Sequence, residues 1–188
     1  MSDARQGCSA DNYWNFLARD LGIDVYVYAD NGWRATNALD QARRLFLDLH
    51  WYVDAIFVMV DASKCTASMS RDECHDGLNR LFDYLKENFP DQQIVLVTSP
   101  NCGFERSGTT GWRNDDILSA GREWSIPVID LYAECGLLPS VKSHQRFFAT
   151  DGDALRLNAR GQERIARTIL CRMLALPPEF KRIDGLFF

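Results

Sequence analysis

Residues 151–169 read DGDALRLNARGQERIARTI, a charged, turn-rich loop running into an amphipathic segment. Asn158 is placed to cap a helix with its side-chain oxygen, and Ile165, Ile169, Leu170, Met173 and Leu174 then recur at helical spacing on one face. Ahead of the cap, Asp153 and Arg156 stand three residues apart, so the loop can present both side chains at the edge of a sheet. The rest of the chain reads as scaffold for that corner.

Working outward, helical and strand patterns alternate. Tyr13, Trp14, Phe16, Leu17 and Leu21 form an apolar stripe closed by Gly22, which predicts a helix over 12–21. IDVYVYA (23–29) is β-branched and aromatic and ends in the turn signal Asp30, Asn31, Gly32. Leu39, Ala42, Leu45, Phe46 and Leu49 share a helical face, and AIFVMV (55–60) is a continuous apolar run of the kind found in strands buried on both sides. Cys74, Leu78, Leu81, Phe82, Leu85 and Phe89 mark a third helix, IVLVT (94–98) a third strand, 114–124 a further helix, and IPVIDL (126–131) a fourth strand. Such alternation implies parallel pairing through right-handed crossovers, hence a three-layer α/β/α sandwich with functional loops at the carboxyl ends of the strands. The Gly-, Ser- and Thr-rich stretch 101–114 reads as a rim over the site or as an ordinary surface loop.

A chain of 188 residues that is 46% hydrophobic is long enough for one domain with a full core. Its formal charge of -5, with Lys and Arg dispersed among acids, argues against a general nucleic-acid binder. There is no apolar run of about 18 residues and no apolar core in MSDARQGCSAD, so neither a membrane span nor a self-encoded export signal is expected, and the cytoplasm is the default location. The six cysteines are scattered without a disulfide framework and read as mostly reduced thiols. Cys65, Cys74 and His75 match no zinc spacing, so neither metal nor cofactor is expected.

The 151–169 stretch resembles the last motif of the SGNH (GDSL-like) serine ester hydrolases, in which Asp-x-x-His precedes a small turn, a Gly and the final helix. Here the string is Asp153, Ala154, Leu155, Arg156, followed by Leu157, Asn158 and Gly161. The resemblance extends over nearly the whole chain, through the helix with Tyr13 and Trp14, the turn 30–36, the strand leading to Asp61, and IPVIDLYAECGL (126–137). It implies a mostly parallel five-stranded sheet, flavodoxin-like in layout, and places Gly32 where the family donates a backbone amide to the oxyanion hole.

The chain departs from that family at the positions that carry the reaction. Arg156 stands where the family has the histidine that takes the nucleophile's proton, and a guanidinium does not deprotonate at working pH. Asp61, Ala62, Ser63 and Lys64 stand where the family has Gly-x-Asn-Asp. The Ser63 hydroxyl can donate one hydrogen bond, but Asp61 opposes a developing oxyanion. For the first motif, Gly-Asp-Ser-x-x-x-Gly, matching Gly7 to the last glycine sets Asp3 at the nucleophile position and Ser2 one place early. Ser9 is a second near miss, lying too close to the first helix. The first strand of the family is also missing from its expected place. KRIDGLFF (181–188) follows Pro177 and Pro178 and ends apolar, so it is a candidate to fill that slot as in a circular permutation, or else packs on the surface.

Two functions follow as expectations. One is a catalytically inactive or impaired SGNH-like domain that binds an anionic ligand or a protein partner through Gly32, Ser63 and Arg156, with a plain ion pair from Arg156 to Asp151 or Asp153 as the bland alternative. The other is an active hydrolase of small acyl or carbohydrate O-acyl esters with a rearranged site, built from Ser2 or Ser9, Asp153 and one of His50, His75 or His144. A purely structural or engineered chain on this fold is a third possibility. Neither nucleic acid nor membrane is an expected partner.

Overall fold

The structure, a computed structural model, describes residues 12–29, 35–49, 52–60, 70–100, 109–149 and 156–174. In chain order these form α1 (Tyr13–Leu21), α2 (Ala35–Leu49), β1 (Ala55–Val60), α3 (Arg71–Asn88), β2 (Gln93–Thr98), α4 (Thr109–Glu123), β3 (Val128–Ile129), α5 (Leu131–Glu134), a 3-10 helix (Lys142–Phe147) and α6 (Ala159–Met173). They divide into two compact units, one built from α2, β1, α3, β2, α4 and β3, the other from α1, α5, the 3-10 helix and α6.

The first unit is a parallel sheet in the order β1-β2-β3 with helical crossovers. Ala55 to Val60 pair in register with Gln93 to Thr98, and Leu96 and Val97 pair with Val128 and Ile129. Parallel pairing requires long returns, and α3 and α4 supply them. Their apolar faces close over the sheet: Leu78, Phe82 and Leu85 of α3 with Phe89 just after it, Ile117 and Ala120 of α4, and Ile56, Ile94 and Leu96 of the strands are all buried. Each large side chain so buried contributes roughly 1.5–3 kcal/mol relative to exposure. Phe46 of α2 meets the Phe89 ring edge-on at 5.7 Å. The start of α3 is fixed by a reciprocal cap: the Glu73 amide donates to Ser70 Oγ at 3.2 Å, and the Ser70 amide donates to Glu73 Oε2 at 2.7 Å.

Three expectations about this unit need correction. The stretch 23–29 is assigned no secondary structure and joins no ladder among the described residues, which pair three strands. β-propensity alone does not make a strand, which also needs a hydrogen-bonded neighbour. Tyr28 is instead tied to α2, donating from its hydroxyl to Asp48 Oδ2 at 2.9 Å. The fourth strand shrinks from 126–131 to Val128 and Ile129 because Pro127 has no N–H to give and Asp130 turns the chain into α5 by accepting from the Ala133 amide at 3.2 Å. The helix expected at 114–124 begins at Thr109, inside the stretch read as a loop, despite the low helix propensity of its Thr and Gly residues.

In the second unit α1 packs on α6, and the Tyr13 amide donates to Gln162 Oε1 at 3.2 Å. Gly22, in the left-handed region at φ 64, ends α1 as its sequence position implies. α6 buries Ile165, Ala166 and Ile169, but Met173 and Leu174, assigned to the same face, are 42% and 54% exposed. The buried stripe is centred instead on Gly161, Gln162, Ile165 and Ile169. Among the described residues no helix is long and apolar enough to cross a membrane.

Candidate functional site

The candidate corner is built where the chain enters α6. Asn158 caps that helix as its identity implies, its Oδ1 accepting from the Gly161 amide at 3.2 Å. Its other side-chain atom matters as much. Asn158 Nδ2 donates to the carbonyls of Arg146 and Phe148 at 2.7 and 2.8 Å, and the Asn158 amide donates to Phe147 O at 3.0 Å. Phe148 and Leu157 form an antiparallel bridge, and the Ala149 amide donates to Arg156 O at 2.8 Å. A short two-stranded clamp thus joins 147–149 to 156–158 and brings together the two ends of the connection carrying Asp151 and Asp153.

Gly161 is required by that clamp. A Cβ there would sit 2.4 Å from Phe147 O and 2.9 Å from Leu157 Cβ, so only a residue without a side chain lets the helix start press this closely on the 3-10 helix. A buried arginine supports the same corner from behind. Arg164, 8% exposed, donates from Nε to Cys135 O at 2.6 Å and stacks its guanidinium 5.0 Å from the Phe147 ring centroid. Two turns further on, Arg172 clasps Glu134 through two nitrogens at 2.6 and 2.5 Å, and this pairing holds its guanidinium protonated more firmly than usual.

Of the residues singled out from sequence, Arg156 is described: it is exposed, and its backbone is held in the clamp directly before the cap. Ser2, Asp3, Gly7, Ser9, Gly32, His50, Ser63, Cys65 and Asp153 lie outside the described residues, as does the tail 181–188. The two described histidines are committed elsewhere. His75 bridges Glu123 and Asn79 at 3.1 Å each in the sheet-containing unit, and His144 Nδ1 accepts the Leu138 amide at 3.1 Å. Among the described residues no group of three or more His, Cys, Asp or Glu side chains gathers as a metal site would require. Sequence reading missed Arg164 and the donor role of Asn158. The signal for Arg164 was its phase, since it falls beside Ile165 and one turn from Thr168 on the inward side of α6; nothing local marked Asn158 Nδ2.

The parallel sheet returned by helices is an α/β fold like that of solved GDSL-like lipases and acylhydrolases. The chain is similar to a member of the lipolytic protein G-D-S-L family from Veillonella parvula, with a TM-score of 0.70 over 90% of this chain and 91% of that one at 14% identity. It is similar also to the lipase/acylhydrolase from Enterococcus faecalis, with a TM-score of 0.57, 18% identity, and 88% and 87% of the two chains covered. A protein from Lactobacillus plantarum matches with a TM-score of 0.66 over 98% and 93% of the two chains at 16% identity. No protein-family model matches the sequence, and no curated protein sequence matches it.

Proposed function

We propose that this chain uses a GDSL-like hydrolase fold to bind an anionic small molecule or an acidic partner surface at the loop entering α6, and does not carry out serine ester hydrolysis. The observation that carries the reading is Arg156. The bridge at Leu157, the cap at Asn158 and the close approach at Gly161 lie beside it in the chain, and its side chain is a guanidinium where the motif it resembles has an imidazole. A guanidinium binds carboxylate or phosphate through two parallel N–H donors and cannot accept a proton from a serine. Arg160 and Lys142, both exposed in the same unit, add positive charge. His144 also fits poorly as a substitute base: a neutral ring accepting through Nδ1 carries its proton on Nε2, leaving no lone pair there for a hydroxyl proton.

The test pairs two measurements on the full chain. Inorganic phosphate and acetate should raise the unfolding temperature of the wild type by mass action, and Arg156→Gln should abolish most of that rise. Aryl acetate should be hydrolysed no faster than in buffer. Saturable hydrolysis that disappears in Ser2→Ala and in His144→Ala would instead establish a rearranged ester hydrolase.

A further inference from the structure

A chain of four side chains outside the α6 corner joins α3 to the end of α4 within the sheet-containing unit. Trp124 Nε1 donates to Asn79 Oδ1 at 2.8 Å, Asn79 Nδ2 lies 3.1 Å from His75 Nδ1, and His75 Nε2 lies 3.1 Å from Glu123 Oε2. Its proton arrangement is fixed from one end. An indole nitrogen only donates, so Asn79 must turn its oxygen toward Trp124 and its amide nitrogen toward His75. The His75 Nδ1 facing that amide is then the lone pair, which puts the ring proton on Nε2, aimed at the Glu123 carboxylate. Every donor in the chain meets an acceptor only while His75 is neutral.

What the chain holds is the turn from α4 into β3. Trp124 directly follows α4; its carbonyl accepts Lys86 Nζ, and the same ammonium lies 5.9 Å from the indole centroid. The next residue, Ser125, has φ 52, a left-handed conformation unfavourable for a residue with a Cβ. The contacts of Trp124 with α3 therefore anchor a strained turn.

We propose that this arrangement is a pH-sensitive latch between α3 and the α4–β3 turn. Protonation of His75 sets a second N–H against the Asn79 amide; Asn79 must reverse, and the Trp124 indole loses its acceptor. Among the described residues, the charged groups near the ring come from α3 and α4. Glu123 approaches from α4, with Ser119 Oγ 3.5 Å from its other oxygen, and Arg122 is its neighbour in sequence. On α3, Asp72 stands one turn before His75 and Asp76 beside it, while Arg43 of α2 lies over Tyr84, more than two turns further along. Acidification therefore keeps the His75–Glu123 contact, now as an ion pair, and gives up the Asn79–Trp124 bond.

The experiment is a pH titration of the full chain by proton–nitrogen NMR, with the Trp124 indole signal assigned through Trp124→Phe and the His75 ring followed in parallel. The indole N–H should move from a hydrogen-bonded to a solvent-like position in step with His75. In N79D the two carboxylate oxygens can accept from both the indole and the charged ring, so the indole should stay bonded in acid; in H75F it should not respond to pH. An indole signal that holds its place while His75 titrates overturns the proposal, as does one that moves equally in H75F.

Discussion

Substituting Asn158 by aspartate separates what a helix cap needs from what this particular corner needs. By capping alone N158D is neutral, since Asn and Asp are equivalent N-caps, and the added charge gains about 0.3–1 kcal/mol from the dipole of α6. The structure dictates the opposite sign. Asn158 Nδ2 donates to Arg146 O and Phe148 O at 2.7 and 2.8 Å, and N158D replaces that donor with a carboxylate oxygen facing two carbonyl oxygens. Two net hydrogen bonds are lost at about 1 kcal/mol each, repulsion between oxygens adds to this, and the dipole gain offsets part, leaving a destabilisation of about 2–3 kcal/mol. In urea, with a slope of about 1–3 kcal/mol per molar, that lowers the unfolding midpoint by roughly 1 M or more. The pH dependence has a defined sign. The carboxyl in N158D has its folded pKa raised above its unfolded value near ~3.9, because its neutral form can donate to one of the carbonyls. The deficit of N158D against wild type is therefore smallest below about pH 4 and grows as pH rises through the folded pKa. Equal urea midpoints for N158D and wild type at neutral pH would refute the reasoning, leaving Asn158 as a cap and nothing more.

Gly161→Ala should destabilise by up to about 2 kcal/mol: the gain of roughly 1 kcal/mol in helix propensity is outweighed by overpacking at the upper end of about 1–3 kcal/mol against Phe147 O, a backbone atom that cannot swing away. Thermal unfolding reads this directly, and a stabilised G161A would contradict the close approach. At the start of α3, the Glu73 carboxyl is held below the usual glutamate range, first by the Ser70 amide and then by the Ser70 hydroxyl. Its folded pKa is thus depressed, so its contribution is present above the unfolded value near ~4.3 and is lost as pH falls through the folded one. Amide protection factors in the first turn of α3, taken against the intrinsic exchange rate at each pH, should therefore fall on acidification in the wild type, and E73Q, which keeps an acceptor but cannot titrate, should remove that fall.

Much of the fold was legible because it rests on local periodicity. The apolar runs at 55–60 and 94–98 form β1 and β2, and the stripe from Cys74 to Phe89 forms α3 and its C-cap, with Leu78, Phe82, Leu85 and Phe89 facing inward. Legibility failed where pairing or a single backbone group decides the outcome. IDVYVYA has every strand propensity and no ladder among the described residues, while IPVIDL is cut to two paired residues by one proline and one capping aspartate. At the candidate site, Asn158 and Gly161 could be assigned to the start of α6 from their spacing. The reason Gly161 has to be glycine lies in Phe147, fourteen positions upstream in sequence, and no local pattern contains that information.

The sequence by itself determined the kind of architecture and the chemical character of Arg156, because helical and strand periods and the proton affinity of a guanidinium are properties of residues and their near neighbours. The tertiary structure decided the clamp between 147–149 and 156–158, the buried Arg164 behind it, and the proton arrangement from Trp124 through Asn79 and His75 to Glu123. These depend on which donor meets which acceptor across long stretches of chain, and a hydrogen bond has direction and distance requirements that only the folded arrangement fixes.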